Sequence, residues 1–219
     1  MHPALVISLC VIVSYLIGSI SNAVLVAKAH GVDIFKVGSG NPGATNVKRS
    51  IGKKPGNLVF FLDLLKGLVV SVWPFIPSAI GVLQTDLNPL VLSLVCLVAA
   101  LVGHSFSAFI NFRGGKGVAT TMGGLLAIMA PIVLLGALVW VIFFYTFRYV
   151  SLASIAFAAS LPPITLAFKA LGWSWPRSYG IIDIWVAVGI FLLIAARHYP
   201  NMIRLMKGTE NKFQRKKSS

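Results

Sequence analysis

Two short glycine-rich stretches with basic residues carry the most legible chemistry in this chain. They are Gly38-Ser39-Gly40-Asn41-Pro42-Gly43-Ala44-Thr45-Asn46 and Arg113-Gly114-Gly115-Lys116-Gly117. Glycine lets backbone N–H groups turn toward one point and cradle an anion, and Arg113 and Lys116 add full positive charge. Irregular backbone of this kind has no place facing lipid tails, so both stretches belong at a water interface. They predict a phosphorylated ligand. Neither is a nucleotide P-loop. Gly38 and Gly43 are correctly separated, but Ala44-Thr45 follows where Lys-Ser/Thr is required, and Lys116 is followed by Gly117. What remains is general phosphate binding. The second stretch leads directly into an apolar run, so the N-terminal N–H groups of a helix there would face the anion.

Other polar residues gather near one end of several apolar runs. Tyr15, Gly18, Ser19 and Asn22 fall at i, i+3, i+4 and i+7, one face of a continuous helix, and Gly103, His104, Ser107 and Asn111 form a similar stripe. Small polar residues alone serve as glue between helices. Ionisable ones inside a span cost more and are paired or functional. Asp63 and Lys66, three apart, read first as an ion pair that neutralises itself and holds a loop. His104 and His198 each lie beside further polar groups. Glu210 is the only carboxylate near the C-terminus, placed to bind a nearby Arg or Lys or to orient a histidine.

The elements that must position these groups are membrane spans. Of 219 residues, 57% are hydrophobic and only 11% charged, too little charged surface for a soluble domain. Nineteen Lys and Arg against five Asp and Glu could suggest nucleic acid, but no soluble basic domain is present. The charge sits in loops and tail, where it sets orientation and attracts anionic lipid and phosphate. Cys10 and Cys96 lie in apolar runs and read as small buried hydrophobes. Apolar runs cover residues 4–27, 58–80, 89–108, 118–147, 152–170 and 181–196. The first is too long for a signal-peptide core and no basic residue precedes it, so it is read as a retained span.

Charge parity settles the count. Residues 28–57 carry Lys28, Lys36, Lys48, Arg49, Lys53 and Lys54, which places them in the cytoplasm and the N-terminus outside. The loop near Asp86 lacks basic residues and fits outside, and the Arg113–Lys116 loop returns inside. Were residues 118–147 one span, the tail from 197 to 219, with seven Lys and Arg, would end outside. Two crossings broken near Pro131 repair this, each short because thirty residues make only ~45 Å of helix against a ~30 Å hydrocarbon core. The expected fold is all-α and polytopic, with seven transmembrane helices, the fourth and fifth short, and a cytoplasmic C-terminus. One membrane-embedded domain over residues 1–212 is followed by a basic tail at 213–219.

Three regions together resemble a known family. Gly38–Asn46, Asn111-Phe-Arg-Gly-Gly-Lys-Gly-Val-Ala-Thr120 and Arg197-His-Tyr-Pro-Asn-Met-Ile-Arg-Leu-Met-Lys-Gly-Thr-Glu210 are similar to the signature regions of the bacterial acyl-phosphate:glycerol-3-phosphate acyltransferases of the PlsY type. Asp63-Leu-Leu-Lys-Gly67 and Gly103-His104 extend the likeness across nearly the whole chain. It implies a cell-membrane enzyme without cofactor or metal. The enzyme would transfer a fatty acyl group from acyl phosphate to the 1-hydroxyl of sn-glycerol 3-phosphate at the cytoplasmic face, giving lysophosphatidic acid and phosphate. A membrane lipid environment, a monomer and no nucleic-acid partner go with it. No His-x4-Asp pair exists, since Ile7, Phe35, Phe109 and Ile203 stand five residues after the four histidines, which argues against acyltransferases that use that motif.

The resemblance also implies site residues. Arg49, Lys116, Ser154, His198 and Asn201 are expected on glycerol 3-phosphate. Ser39, Gly40, Asn41, Gly43, Thr45, Asn46, Gly114 and Gly115 are expected on acyl phosphate. Acyl phosphate is an activated anhydride, so the protein must neutralise two anions, align them and stabilise an oxyanion. His198, His104 and Glu210 are the catalytic candidates, with Asp63 and Asp33 as further possible bases, and a substrate phosphate oxygen can itself take the proton. A transporter for a small anion is the competing reading, but the polar residues gather at one face and no inverted repeat is visible. A polytopic scaffold would leave the Gly, Ser, Asn and His constellation unexplained.

Overall fold

The structure, a computed structural model, describes residues 3–75 and 88–213. Every regular element among them is helical. The chain divides into two compact units, residues 1–129 and 130–219.

The first unit begins with α1 (Pro3–Ser19) and α2 (Asn22–Ala29), which together make a 27-residue apolar stretch. The two are separated at Ile20 and Ser21, and the Ser21 hydroxyl caps α2 by accepting from the Val24 N–H. The continuous helical face expected through Tyr15 and Asn22 is therefore interrupted. A short α3 (Ala44–Ser50) precedes α4 (Lys53–Val72). Helix α4 starts before the apolar run because Pro55 sits in its first turn, where a missing N–H costs nothing. The far end of that run, Asp86 and the loop around it lie outside the described residues. Helix α5 (Pro89–Ser105) starts on an Asn88 cap and leads through a 3₁₀ turn (Ala108–Ile110) toward α6 (Val118–Ile128).

Small residues set the packing. A Cβ on Gly18 would fall on the Ala100 backbone, and one on Gly103 would fall on Tyr15, so α1 and α5 touch main chain to main chain. Gly67 and Gly123 do the same for α4 and α6, against Thr120 and Leu64. Without a hydrophobic drive between helices in lipid, such close approach supplies the dispersion contact that holds them.

The second unit contains α7 (Ala130–Phe147), α8 (Val150–Ala170), α9 (Ile181–Arg197) and α10 (Tyr199–Met206), the last bent 60° from α9. Arg148 turns α7 into α8 with φ 65°. Gly136 on α7 lies against Phe157 and Leu161 on α8. At the start of α9, Asp183 accepts from the Gly180 N–H at 2.7 Å and from Arg177 at 2.6 and 3.0 Å.

The long run at residues 118–147 is broken, as parity requires, but unequally. The helix stops at Ile128, Met129 leaves helical geometry, and Pro131 falls in the first turn of α7. Helix α6, at 11 residues, is only about 16 Å long, while α7, at 18 residues, is about 27 Å and of spanning length. The fifth segment is thus not short. Among the described residues five helical stretches are long and apolar enough to cross a membrane, and the bent α9–α10 pair makes a sixth. This is a multi-pass membrane protein.

Candidate functional site

In the first unit, the first glycine stretch is folded around Asn46. The Asn46 Oδ1 accepts from the Ser39 N–H at 2.9 Å, while its Nδ2 donates to the carbonyls of Ile34 (3.2 Å) and Val37 (3.0 Å). Gly38 and Gly40 take φ of 58° and 65°, and any Cβ on Gly38 would occupy the Asn46 amide. Asn46, expected on acyl phosphate, is buried with its amide bonded within the loop. Ser39 is exposed and Asn41 and Thr45 half-buried, which leaves these as the accessible side chains of the stretch. Gly43 precedes α3, its carbonyl accepting from the N–H groups of Asn46 and Val47. Gly40 lies half-buried in the same loop. Arg49 is exposed in the last turn of α3.

The second stretch is built on His104. The Gly115 N–H donates to the His104 carbonyl at 2.9 Å. A Cβ on Gly114 would strike that carbonyl, and one on Gly115 would strike the imidazole Nε2. Both glycines are therefore dictated by close approach to one residue. Gly117, with φ 80°, then opens α6, so the stretch does lead into a helix N-terminus. Lys116 is half-buried, and the exposed Arg113 places its guanidinium over the Phe35 ring, 5.4 Å from the centroid.

Beneath this loop lies a buried charged cluster. Asp63 Oδ1 accepts from Asn22 Nδ2 at 2.9 Å and stands 3.4 Å from Lys66 Nζ. Lys66 Nζ also donates to the carbonyls of Gly18 (3.0 Å) and Ile20 (2.8 Å), the chain end freed where α1 stops. His104 Nδ1 lies 3.1 Å from the same ammonium. Asp63 and Lys66 do pair, as expected, but they also cap the interrupted span and engage His104. Both side chains are 5% exposed, and burial of a pair is tolerable only where such further bonds satisfy it. Thr120 Oγ1 lies 3.5 Å and Asp63 Oδ1 3.9 Å from His104 Nδ1.

The second unit carries its own polar cluster at the α9–α10 bend. His198 occupies the bend itself, 2% exposed, with Nδ1 2.8 Å from the Ile194 carbonyl. A carbonyl only accepts, so Nδ1 bears the hydrogen and Nε2 of the neutral ring is an acceptor. Glu210 holds the chain after α10. Its Oε1 accepts from Ser151 Oγ (2.9 Å) and Asn201 Nδ2 (2.7 Å), and its Oε2 from Arg204 Nε (2.7 Å). Burial pushes the Glu210 carboxyl upward, but the bonds from Asn201, Arg204 and Ser151 and the Arg204 charge outweigh it. The net effect is a value below the usual carboxylate range. Glu210 is thus a stable anion with both oxygens engaged, paired with a nearby arginine as one expectation had it and clamping Asn201 as well. Ser154 Oγ accepts from Trp140 Nε1 at 3.3 Å. Beyond Glu210, the Phe213 N–H donates to the Arg148 carbonyl at 2.9 Å.

The expected residues therefore assemble as two local groups. Ser39, Gly40, Asn41, Gly43, Thr45, Asn46, Arg49, His104, Gly114, Gly115 and Lys116 belong to the first unit, and Ser154, His198, Asn201 and Glu210 to the second. Lys66, Thr120 and Arg204 hold these groups in place without having been assigned to the site. Only tertiary packing brings Lys66 and Thr120 to His104, from positions 38 and 16 residues away.

Capped and broken apolar helices joined by such glycine loops place the chain in the class of multi-pass integral membrane proteins. The chain belongs to the glycerol-3-phosphate acyltransferase family, whose model matches residues 8–208. It is 42% identical to the glycerol-3-phosphate acyltransferase of Aquifex aeolicus (strain VF5) over 93% of this chain and 97% of that one. To the glycerol-3-phosphate acyltransferase of Neisseria meningitidis serogroup B it is 40% identical, over 92% and 94%. The fold is similar to crystal structures of PlsY (YgiH), an integral membrane glycerol 3-phosphate acyltransferase. The glycerol 3-phosphate form matches at TM-score 0.80 and 38% identity, covering 95% of this chain and 96% of that one. The lysophosphatidic acid form matches at TM-score 0.77 and 38% identity, with 95% of each chain covered.

Proposed function

We propose that this protein transfers an acyl group from acyl phosphate to the 1-hydroxyl of sn-glycerol 3-phosphate. The observation that carries this reading is the pair of glycine loops in the first unit, one wrapped around Asn46 and followed in sequence by Arg49, the other built on His104 and containing Lys116. Family membership supports the acceptor, and the absence of a His-x4-Asp pair supports a donor other than a thioester. The hydroxyl oxygen attacks the acyl carbon, the bond from that carbon to the phosphate oxygen breaks, and phosphate leaves with the electron pair and the hydroxyl proton. In the first unit Arg49 and Lys116 are assigned to substrate phosphate, with Ser39, Asn41, Thr45 and the backbone of Gly40, Gly43, Gly114 and Gly115 as hydrogen-bonding groups. In the second, Ser154, His198 and Asn201 are assigned to glycerol 3-phosphate.

The proton acceptor in this reading is a phosphate oxygen of the substrate. Glu210 is already committed to three donors. With its hydrogen on Nδ1, the neutral His198 ring has its acceptor at Nε2, so it is assigned to orient the hydroxyl and to act as the reserve base. Seven crossings, an outside N-terminus and a cytoplasmic site are the arrangement that charge parity supports, with α6 as the short fourth crossing, and the family likeness supports the bacterial inner membrane. The domain is read as single over residues 1–212 and the protein as a monomer. Purified protein in detergent, given acyl phosphate and glycerol 3-phosphate, should release inorganic phosphate and lysophosphatidic acid in equal amounts. Turnover with an acyl thioester but not with acyl phosphate would overturn the donor assignment.

A further inference from the structure

Lys66 and His104 carry a consequence that neither shows alone. The Lys66 ammonium has three hydrogens to place. Two go to the carbonyls of Gly18 and Ile20, which can only accept. Of the remaining neighbours, His104 Nδ1 at 3.1 Å is nearer than Asp63 Oδ1 at 3.4 Å, and that carboxylate oxygen is 3.9 Å from Nδ1, too far to accept a hydrogen bond from it, so we assign the third hydrogen to the imidazole. The Asp63 carboxylate, itself held by Asn22, stands beside the same ammonium as its counter-charge. A ring nitrogen that accepts a hydrogen bond carries no hydrogen. A neutral His104 must then bear its proton on Nε2, and a second cation on the ring would face the ammonium at close range. Nε2 is the atom that lies against Gly115, where any Cβ would collide with it.

We propose that Lys66 is a positioning residue that locks His104 as its Nε2–H tautomer, turning that nitrogen into a hydrogen-bond donor for a phosphate held by the Gly114–Lys116 loop. The inference rests on reading that loop as a phosphate cradle. It assigns the two histidines opposite duties, since His198 is fixed with its hydrogen on Nδ1 and its Nε2 accepting. His104 is thereby removed from the candidates for general base. It also explains why a lysine sits inside α4. The same ammonium that satisfies the end of α1 sets the hydrogen-bonding polarity of the ring on which the loop rests.

The test is nitrogen-15 NMR of the full chain, labelled at histidine, in lipid nanodiscs, with His104→Gln used to assign the ring. The wild-type ring should show a protonated Nε2 and an unprotonated Nδ1 at neutral pH. Added inorganic phosphate should shift the Nε2 signal. In Lys66→Met the tautomers should mix, and phosphate affinity should fall on the order of tenfold, as for loss of one charge-assisted bond. A ring protonated on Nδ1, or on both nitrogens, would overturn the lock, and that wild-type measurement stands even if Lys66→Met fails to fold. An Nε2 signal indifferent to phosphate would overturn the donor role. None of these readouts needs turnover. A protein inactive as an acyltransferase that keeps the locked tautomer would defeat the functional reading alone, and an active one with the reversed tautomer would defeat the lock alone.

Discussion

Replacing Glu210 with Gln keeps the shape of the side chain and removes its charge. In the native protein Oε1 serves Ser151 and Asn201 while Oε2 takes the Arg204 Nε–H. A glutamine can put its carbonyl oxygen toward the first two, but its NH₂ then meets the Arg204 donor head on. The loss is one charge-assisted bond, ordinarily about 1.5–3 kcal/mol, reduced because Arg204 is 38% exposed and water screens it. About 1–2 kcal/mol is expected, a fall of a few degrees in melting temperature in detergent at pH 7. Amide exchange at residues 207–213 should quicken, because the Glu210 bond to Ser151 is one of the contacts that tie that segment to α8. The carboxyl is lowered in the folded protein, so its stabilisation is complete above the unfolded carboxyl's range and is lost as pH falls through the still lower folded value. The gap between wild type and Glu210→Gln should therefore be full at pH 7 and close only below about pH 4.5. Equal melting and unchanged exchange at pH 7, or a gap that widens on acidification, would refute the clamp.

Three further outcomes are expected. Lys116→Ala should lower kcat/KM for acyl transfer by about tenfold to a hundredfold, with the protein still folded, since the group is half-buried beside a loop; near-normal kinetics would return Lys116 to ordinary interfacial charge. His198→Gln should keep measurable turnover with weakened glycerol 3-phosphate affinity, whereas a loss of ~10²–10⁴ in kcat would make His198 the obligatory base. A cysteine placed at Ser174 should react with an impermeant thiol reagent on intact cells and one at Gly52 should not; the reverse pattern would invert the topology.

What the sequence revealed depended on how local each signal was. The glycine stretches, the basic loops and the long apolar runs are contiguous features, and each reappears at its place in the fold. The break within residues 118–147 was legible from charge parity, and Pro131 marked it to within two residues, since the helix stops at Ile128, Met129 leaves helical geometry and proline is accommodated in the first turn of α7. What the residues did not show is that the second half, at 18 residues, keeps spanning length. The interruption of the first span at Ile20 was hidden for a different reason. Its stabilisation comes from Lys66, 46 residues away from the Ile20 carbonyl, and no spacing rule within residues 4–27 can register that.

Site residues divide along the same line. Asn46 belongs to a polar motif, and from the motif alone it is indistinguishable from Ser39 or Thr45 as a ligand. Burial separates them, because an amide enclosed between the Ser39 N–H and two carbonyls is the scaffold of the loop. Glu210 shows the converse. Its isolation among basic residues allowed two readings, a partner for a nearby Arg or Lys and a catalytic carboxylate, and an anion bonded to Ser151, Asn201 and Arg204, held below the usual carboxylate range, fits the first. His104 and His198 look alike in sequence, each a histidine at the end of an apolar run. Their difference comes from one neighbour apiece: a lysine that donates to Nδ1 of the first, and a carbonyl that accepts from Nδ1 of the second. With His104 committed as a donor and Glu210 as a clamp, His198 is the one titratable side chain of the three catalytic candidates left with a role for an acceptor. A reaction whose leaving group is itself a phosphate anion can do without even that, which is why the proton is assigned to the substrate.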